Sequence, residues 1–243
     1  MHNLTKLVKG ELQRLQKYNV TLMSLIVTLI WVALLYFIDD TSVFMMLLPL
    51  VIIIDVTMMS VMYTGAVMYF EKSENTMLSI LVTPVSHQDI ILSKIIANVI
   101  HQTISTLLVV IAFVFMKDIT VSWLIIVFMM VSIGFHTLLG FIFTYTAKDF
   151  TSMLTNFMFV MIVLATPSIL VYVNVIQTSD FINYLLLISP IEQATVMISS
   201  AFTKTFDIMF FISFILMISY FFIIYTKYVL PKFSSYVQKG SGV

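Results

Sequence analysis

Residues 119–147, ITVSWLIIVFMMVSIGFHTLLGFIFTYTA, contain no aspartate, glutamate, lysine or arginine. About 20 apolar residues in a helix are enough to cross the hydrocarbon core of a bilayer, so this stretch is long enough to span it. Inside lipid every backbone N–H and C=O must be paired within the chain, and a helix does this within one segment. The stretch therefore predicts a transmembrane helix and an all-α membrane protein.

Comparable stretches lie on both sides of it. Charge-free runs cover residues 18–38, 95–116, 150–179 and 208–226, and residues 41–70 are interrupted only by Asp55. Together these patterns predict six spans, at residues 20–38, 43–69, 92–116, 121–146, 152–175 and 207–228. No internal repeat or polar linker separates them, so we expect one transmembrane domain over residues 1–243.

The composition supports lipid as the solvent for most of the chain. Hydrophobic residues make up 60% of the sequence and charged residues 10%, whereas about a quarter of the residues in a soluble domain are charged. Mean hydropathy is +1.08. The formal net charge of zero gives no reason to expect nucleic-acid binding. The absence of cysteine excludes disulfides, thiolate metal sites and thiol catalysis.

The basic residues predict the orientation, because cytoplasmic loops of membrane proteins are enriched in lysine and arginine. With the N-terminus inside, only Lys117 and Lys204 fall on the outer side. The cytoplasmic side then carries Lys6, Lys9, Arg14, Lys17, Lys72, Lys94, Lys148, Lys227, Lys232 and Lys239. We therefore expect a multi-pass protein of the plasma membrane with both termini in the cytoplasm.

Two segments are expected not to span. Residues 1–18 place leucines on one helical face and basic residues largely elsewhere, which is typical of an amphipathic helix on the inner membrane surface. Residues 177–206 contain two short apolar pieces separated by Ser189-Pro190. They predict a re-entrant or interfacial extracellular segment, although they could also lengthen the neighbouring spans.

The longest polar interruption on the predicted inner side is FEKSENTMLSILVTPVSHQDIILSK, residues 70–94. Ser73 is expected to cap a short helix, and Pro84 is expected to end it. Ser86 followed by Asp89 predicts the start of the next helix. From these residues alone, the segment is either a docking element for a soluble partner or an ordinary interfacial loop.

This segment resembles the coupling-helix region of type-2 ATP-binding-cassette exporter permeases. The shared pattern is an acidic pair, a short helix, a TPVS turn and a lysine that precedes the next span. The N-terminal helix, six predicted spans and broken outer segment are similar to the same family over nearly the whole chain. Residues 54–66 and 71–74 are similar to its fluoroquinolone-type subgroup.

The resemblance implies a permease subunit that exports amphipathic drugs or other small hydrophobic molecules. It implies a dimer with an identical or related permease, docked on two cytosolic ATPase subunits that bind ATP and Mg²⁺. The chain itself has no G-x-x-x-x-G-K-[ST] phosphate loop and no catalytic motif, so we expect a transport subunit that binds no cofactor or metal and is not an enzyme. The residues expected to couple it to the ATPase are Glu71, Glu74, Met77, Leu78, Leu81, Thr83, Pro84, Val85 and Ser86.

Asp55 is the outlier of the predicted spans, since a carboxylate at membrane depth is costly and often functional. It is expected either to line a substrate pathway or dimer seam, or to be a buried acid bonded to Ser60, Thr57 or Asn98. A third hypothesis is an ion-coupled carrier or channel that uses Asp55 with a histidine. The residues expected in the pathway or seam are Asp55, Met59, Tyr63, His101 and His136.

Overall fold

The computed structural model describes residues 2–81 and 84–238, and within them the regular elements are all helices. Two of these helices each contain one π-helical turn, at Asp55–Met59 and at Tyr225–Val229. The helices are α1 (His2–Lys17), α2 (Val20–Tyr36), α3 (Thr41–Ser73), α4 (Thr76–Leu81), α5 (His87–Lys117), α6 (Ile125–Thr146), α7 (Phe150–Tyr172), α8 (Asp180–Leu186), α9 (Pro190–Thr203) and α10 (Ile208–Gln238).

Five helices in the described part of the chain are long and apolar enough to cross a membrane: α3, α5, α6, α7 and α10. Two bent pairs raise the number to seven if each is one span. These pairs are α1 with α2, at an angle of 67°, and α8 with α9, at 111°. The expected all-α class and multi-pass membrane character are therefore confirmed, with five to seven candidate spans.

The helices extend beyond several of the predicted spans. α3 continues to Ser73 rather than ending at residue 69, and α10 continues to Gln238 rather than to residue 228. α5 begins at His87, five residues before the predicted start, because Ser86 caps it there. Charge-free runs locate the lipid-spanning part of a helix, whereas caps and polar contacts determine where the helix ends.

α6 is the central helix, and it contacts α3, α5, α9 and α10. Its buried side chains include Phe128, Met129, Ile133 and Phe135, which join the main apolar core. By contrast, α2 and α7 expose many large apolar side chains, as expected for surfaces that face lipid rather than water. α6 thus packs against both α3 and α5 inside the bundle.

α9 is packed into the bundle against α3, α6, α7 and α10. Its buried residues include Ala194, Met197 and Ile198, each of which is 0% exposed. By contrast, α8 has no buried residue. Pro190 begins α9 directly after the break, where its missing N–H leaves no donor unpaired. The expected break at Ser189-Pro190 is present.

Gly140 allows α6 and α3 to approach closely. A methyl group at this position would lie 2.8 Å from Thr64 Cβ and 2.9 Å from the backbone oxygen of Val61. We expect Gly140→Ala to lower the free energy of unfolding by about 1–3 kcal/mol, since backbone must move to relieve the contact. Thermal unfolding of the purified protein in detergent measures this effect.

Gly134 on the same helix provides the matched control. A methyl group there would meet its nearest neighbours at 3.8 Å, an ordinary contact distance. Gly134→Ala should therefore leave stability unchanged or raise it slightly, because alanine favours helix more than glycine does. Equal effects of the two substitutions would contradict the close approach at Gly140.

Candidate functional site

Four polar residues recur every fourth position on α5: Lys94, Asn98, Gln102 and Thr106. Residues spaced by four lie above one another on one face of a helix. Each of the four is buried, and each bonds to polar groups on α3. The result is a polar seam between α3 and α5, and we call these contacts the α3–α5 seam.

At one end of the seam four charged side chains form a buried ion cluster. Lys94 Nζ lies 2.7 and 2.6 Å from the two carboxylate oxygens of Glu71, and 2.9 Å from Glu11 Oε2. Arg14 Nη1 lies 3.1 Å from Glu71 Oε1 and also pairs with Glu11. The Glu71 side chain is 0% exposed and that of Lys94 is 5% exposed. The Arg14 side chain is 30% exposed at the edge of the cluster. The three buried charges are therefore compensated mainly by one another and by Arg14.

This ion cluster fastens three helices together. Glu11 and Arg14 lie on α1, Glu71 lies near the end of α3, and Lys94 lies in the first turns of α5. Leu12 and Leu15 of α1 add apolar contacts, since they belong to a cluster with Tyr63. α1 is consequently attached to the bundle by its charged residues as well as by its leucines.

In the middle of the seam, Asn98 joins α3, α5 and α6. Its Nδ2 donates to the Thr137 hydroxyl at 2.8 Å, to the Thr64 hydroxyl at 3.1 Å and to the backbone oxygen of Ser60 at 3.2 Å. A polar group buried among helices is costly unless it is hydrogen-bonded. The Nδ2 group meets this requirement with acceptors from both neighbouring helices, whereas Oδ1 has no hydrogen-bond partner among the described residues.

Asp55 lies at the far end of the seam, at the start of the π-helical turn of α3, and is 3% exposed. Gln102 Nε2 donates to Asp55 Oδ2 at 2.9 Å, and the Thr106 hydroxyl donates to the same oxygen. π-helical turns are rare in proteins, and those that occur are often found at functional sites. Here the turn places a carboxylate against two donors from α5.

The partners of Asp55 differ from the expected ones, although the interpretation as a buried, hydrogen-bonded acid agrees with this geometry. Thr57 and Ser60 instead donate to the backbone oxygens of Ile53 and Val56. Carbonyls four residues back on the same helix are the nearest acceptors for such hydroxyls. Asn98 is occupied by its own three contacts. Asp55 is enclosed by α5 rather than open to a pathway in this structure.

The other expected pathway residues form no hydrogen bond with Asp55 in the described part of the chain, although Tyr63 lies close enough to interact with it electrostatically. His101 packs edge-on against Tyr63, with ring centroids 6.0 Å apart. His136 is 0% exposed, and its Nδ1 lies 2.8 Å from the backbone oxygen of Ser132 on its own helix. In the described residues no hydrogen bond links either histidine to Asp55. Met59 is half-buried and packs against the α1 side of the bundle.

The segment resembling a coupling element forms the short helix α4. Met77 of α4 is 4% exposed and packs in a cluster that includes Met68, Ile90 and Phe233. The Thr76 hydroxyl donates to the backbone oxygen of Glu71 at 3.0 Å. α4 is therefore held against the bundle by its inner face.

Glu74 links the loop before α4 to the end of α1. The Lys17 ammonium and the Tyr18 hydroxyl both donate to Glu74 Oε2, the latter at 2.9 Å. The hydrogen bond from Lys17, followed by that from Tyr18, holds the pKa of Glu74 below its ordinary value. Glu74 therefore stays ionised at neutral pH, and this contact weakens as the pH falls through the lowered pKa.

The nine expected coupling residues differ in their exposure to solvent. Glu71 and Met77 are buried, so both position α4 and neither is free to touch a partner. Pro84 and Ser86 are exposed, and Val85 is half-buried against the Met77 cluster. Thr83 and the side chains of Leu78 and Leu81 lie outside the described part of the chain.

Of the two predicted helix starts in this segment, one is confirmed and one is wrong. The Ser86 hydroxyl accepts from the backbone N–H of Asp89 at 3.1 Å, as expected of an N-cap. Ser73 does not cap α4, because α3 continues through it and its hydroxyl donates back to the Phe70 carbonyl at 2.9 Å. The four residues by which α3 extends beyond residue 69 include Glu71 of the ion cluster.

No protein-family model matches the chain, and no curated protein matches its sequence. Within residues 2–81 and 84–238 no group of three or more histidine, aspartate or glutamate side chains could hold a metal ion. The chemistry of the α3–α5 seam is that of its own residues. It consists of ion pairs at one end, an amide and hydroxyls in the middle and a hydrogen-bonded carboxylate at the other.

Proposed function

We propose that the chain is the transmembrane permease subunit of an ATP-driven exporter of the ATP-binding-cassette type. Its cargo would be amphipathic drugs or other small hydrophobic molecules, and it would perform no chemistry on them. The proposal rests on the resemblance of residues 70–94 to a coupling-helix region and on the way α4 is attached to the bundle.

The proposed topology has six spans: the five long helices and α2. α2 has 17 residues, which corresponds to about 25 Å of helix and is slightly short of the hydrocarbon thickness. Its exposed residues, among them Leu22, Leu29 and Leu34, would face lipid. α1 would lie on the inner surface and α8 with α9 on the outer side, which leaves both termini in the cytoplasm of a plasma-membrane protein.

The attachment of α4 is the observation that carries the proposal. α4 lies between the ends of two candidate spans, α3 and α5, and Met77 packs its inner face into the bundle. The ion cluster holds the same ends of α3 and α5 to each other and to α1. A displacement of α4 by a partner would therefore move α3 and α5 together.

The partners in this proposal are two cytosolic ATPase subunits and a second permease, identical or related. The ATPase subunits would bind ATP and Mg²⁺, and their closure would push α4. Ser79 is an exposed residue of α4, and Asn75 and Pro84 are exposed beside the helix. These residues form the outer edge on which a partner would dock.

Replacement of residues 83–85 by Gly-Ser-Gly tests the proposal. We expect drug export to be lost, because a flexible stretch cannot transmit force. For the same reason, drug should no longer stimulate ATP hydrolysis by the ATPase subunits. The measurements are dye export and ATP hydrolysis in vesicles that contain the assembled transporter. The same replacement at residues 175–177, which are exposed, is the control and should leave both unchanged.

Export that survives the replacement at residues 83–85 would overturn the coupling role. An ion-coupled carrier or channel is the alternative, favoured by the carboxylate of Asp55 at membrane depth. It predicts transport by the purified chain without an ATPase, and loss of transport when the proton gradient is collapsed. ATP-dependent export that persists after that collapse would exclude it.

A further inference from the structure

A cleft of about 320 Å³ opens at the end of the bundle that carries the ion cluster. The end of α3 contributes Tyr69 and Lys72, the start of α7 is preceded by Lys148 and Asp149, and α10 contributes Tyr236. We infer that this cleft binds a phosphate-bearing anion, such as the headgroup of an anionic phospholipid. This inference does not depend on the transport function.

The charges of the lining favour an anion. Among the described residues neither Lys72 nor Lys148 forms an ion pair, and the Lys72 ammonium lies 4.8 Å from the ring centre of Tyr236. Asp149 is the opposing charge, but its carboxylate accepts the backbone N–H of Ser152 at 2.7 Å as the N-cap of α7. Two cations face one carboxylate that is already engaged.

Tyr236 provides the independent observation. It is 4% exposed, and its hydroxyl has no hydrogen-bond partner among the described residues. Its ring is held by Tyr145, with centroids 4.8 Å apart. A buried donor without an acceptor is unfavourable. A phosphate oxygen in the cleft would supply the acceptor and would also contact the lysines.

The aromatic residues around the cleft indicate the depth of a membrane interface. Tyr69 packs against Phe150 with centroids 5.0 Å apart, and Phe70 stacks on the same ring at 6.2 Å. Aromatic side chains collect at the headgroup level of transmembrane proteins. Basic pockets between transmembrane helices at this level bind phosphorylated headgroups. The location of the cleft and the positive charge of its lining thus both favour a phosphorylated headgroup.

Native mass spectrometry of the full-length protein in detergent tests the inference. The probes are dihexanoyl phosphatidylglycerol, the zwitterionic dihexanoyl phosphatidylcholine, and inorganic phosphate as a competitor. We expect the anionic lipid to bind at least tenfold more tightly than the zwitterionic one. Lys72→Gln/Lys148→Gln should remove that preference, and Tyr236→Phe, which removes one hydroxyl, should weaken binding severalfold.

Lys9→Gln/Lys227→Gln removes the same charge outside the cleft and should bind the anionic lipid as the unchanged protein does. Displacement by millimolar inorganic phosphate would show that the phosphate group suffices. If the anionic lipid instead stays bound in the presence of inorganic phosphate and is still preferred over the zwitterionic lipid, the site recognises the lipid rather than phosphate alone. Equal binding of the two lipids, or the preference surviving in both Lys72→Gln/Lys148→Gln and Tyr236→Phe, would overturn the inference.

Discussion

Lys94→Met is expected to lower the free energy of unfolding by about 3–5 kcal/mol, the usual cost of breaking a buried ion pair. Lys94 contacts both Glu71 and Glu11. Without its ammonium, two buried carboxylates would share only the charge of Arg14. Thermal unfolding in detergent measures the loss, and Lys9→Met, at an exposed position of α1, is the control and should change little.

The double variant Lys94→Met/Glu71→Met separates charge from packing. It removes one acid with one base and leaves Glu11 paired with Arg14. Replacement of a whole buried pair by apolar residues of similar volume is often neutral. We therefore expect the double variant to recover most of the stability lost in Lys94→Met. If Lys94→Met were as stable as Lys9→Met, the ion cluster would not hold α1, α3 and α5 together.

Asp55→Leu is expected to lower the free energy of unfolding by about 2–6 kcal/mol. It would remove the carboxylate acceptor of the Thr106 hydroxyl and of one N–H of the Gln102 amide, whose other contact, to the backbone oxygen of residue 55 at 3.3 Å, would remain. An unsatisfied buried group costs about 1–3 kcal/mol. The Thr106 hydroxyl can turn to a carbonyl of its own helix, which places the effect toward the lower end. The same thermal unfolding experiment measures it.

Asp55→Asn is the matched variant, because its amide oxygen still accepts both hydrogen bonds. We expect it to cost less than about 1 kcal/mol and to leave export of cationic compounds unchanged, since Asp55 is enclosed by α5. Selective loss of cation export in Asp55→Asn, with normal folding, would instead restore Asp55 to the substrate pathway. Equal stability of the Leu and Asn variants would contradict its role in the seam.

The membrane-spanning helices could be predicted from the sequence because charged residues interrupt the apolar runs near their ends. The helix ends could not, since α3 and α5 extend into polar sequence. Glu71 illustrates the reason. A charged residue ends a charge-free run, but Glu71 continues α3 because it pairs with Lys94 on the next long helix. A count of basic residues treats Lys94 as solvent-facing. A lysine buried by a distant acid is not visible in a single sequence.

The α3–α5 seam carries a signal that sequence reasoning missed. Lys94, Asn98, Gln102 and Thr106 recur at a spacing of four, which places them on one polar face of the helix. By contrast, nothing in the spacing of Met77 shows that it faces the bundle rather than a partner. The apolar face of a short surface helix could pack against the bundle or contact a partner protein. The position of the neighbouring helices decides which of the two it does.

The absence of cysteine from the sequence permits a direct test of whether α4 docks on a cytosolic protein. Ser79→Cys and Lys9→Cys would be labelled separately with a membrane-impermeant maleimide in inside-out vesicles, before and after peripheral proteins are removed with urea. If α4 is the docking element, Ser79→Cys is protected before removal and labelled after it, whereas Lys9→Cys is labelled equally in both. Equal labelling of Ser79→Cys in both preparations would contradict docking at α4.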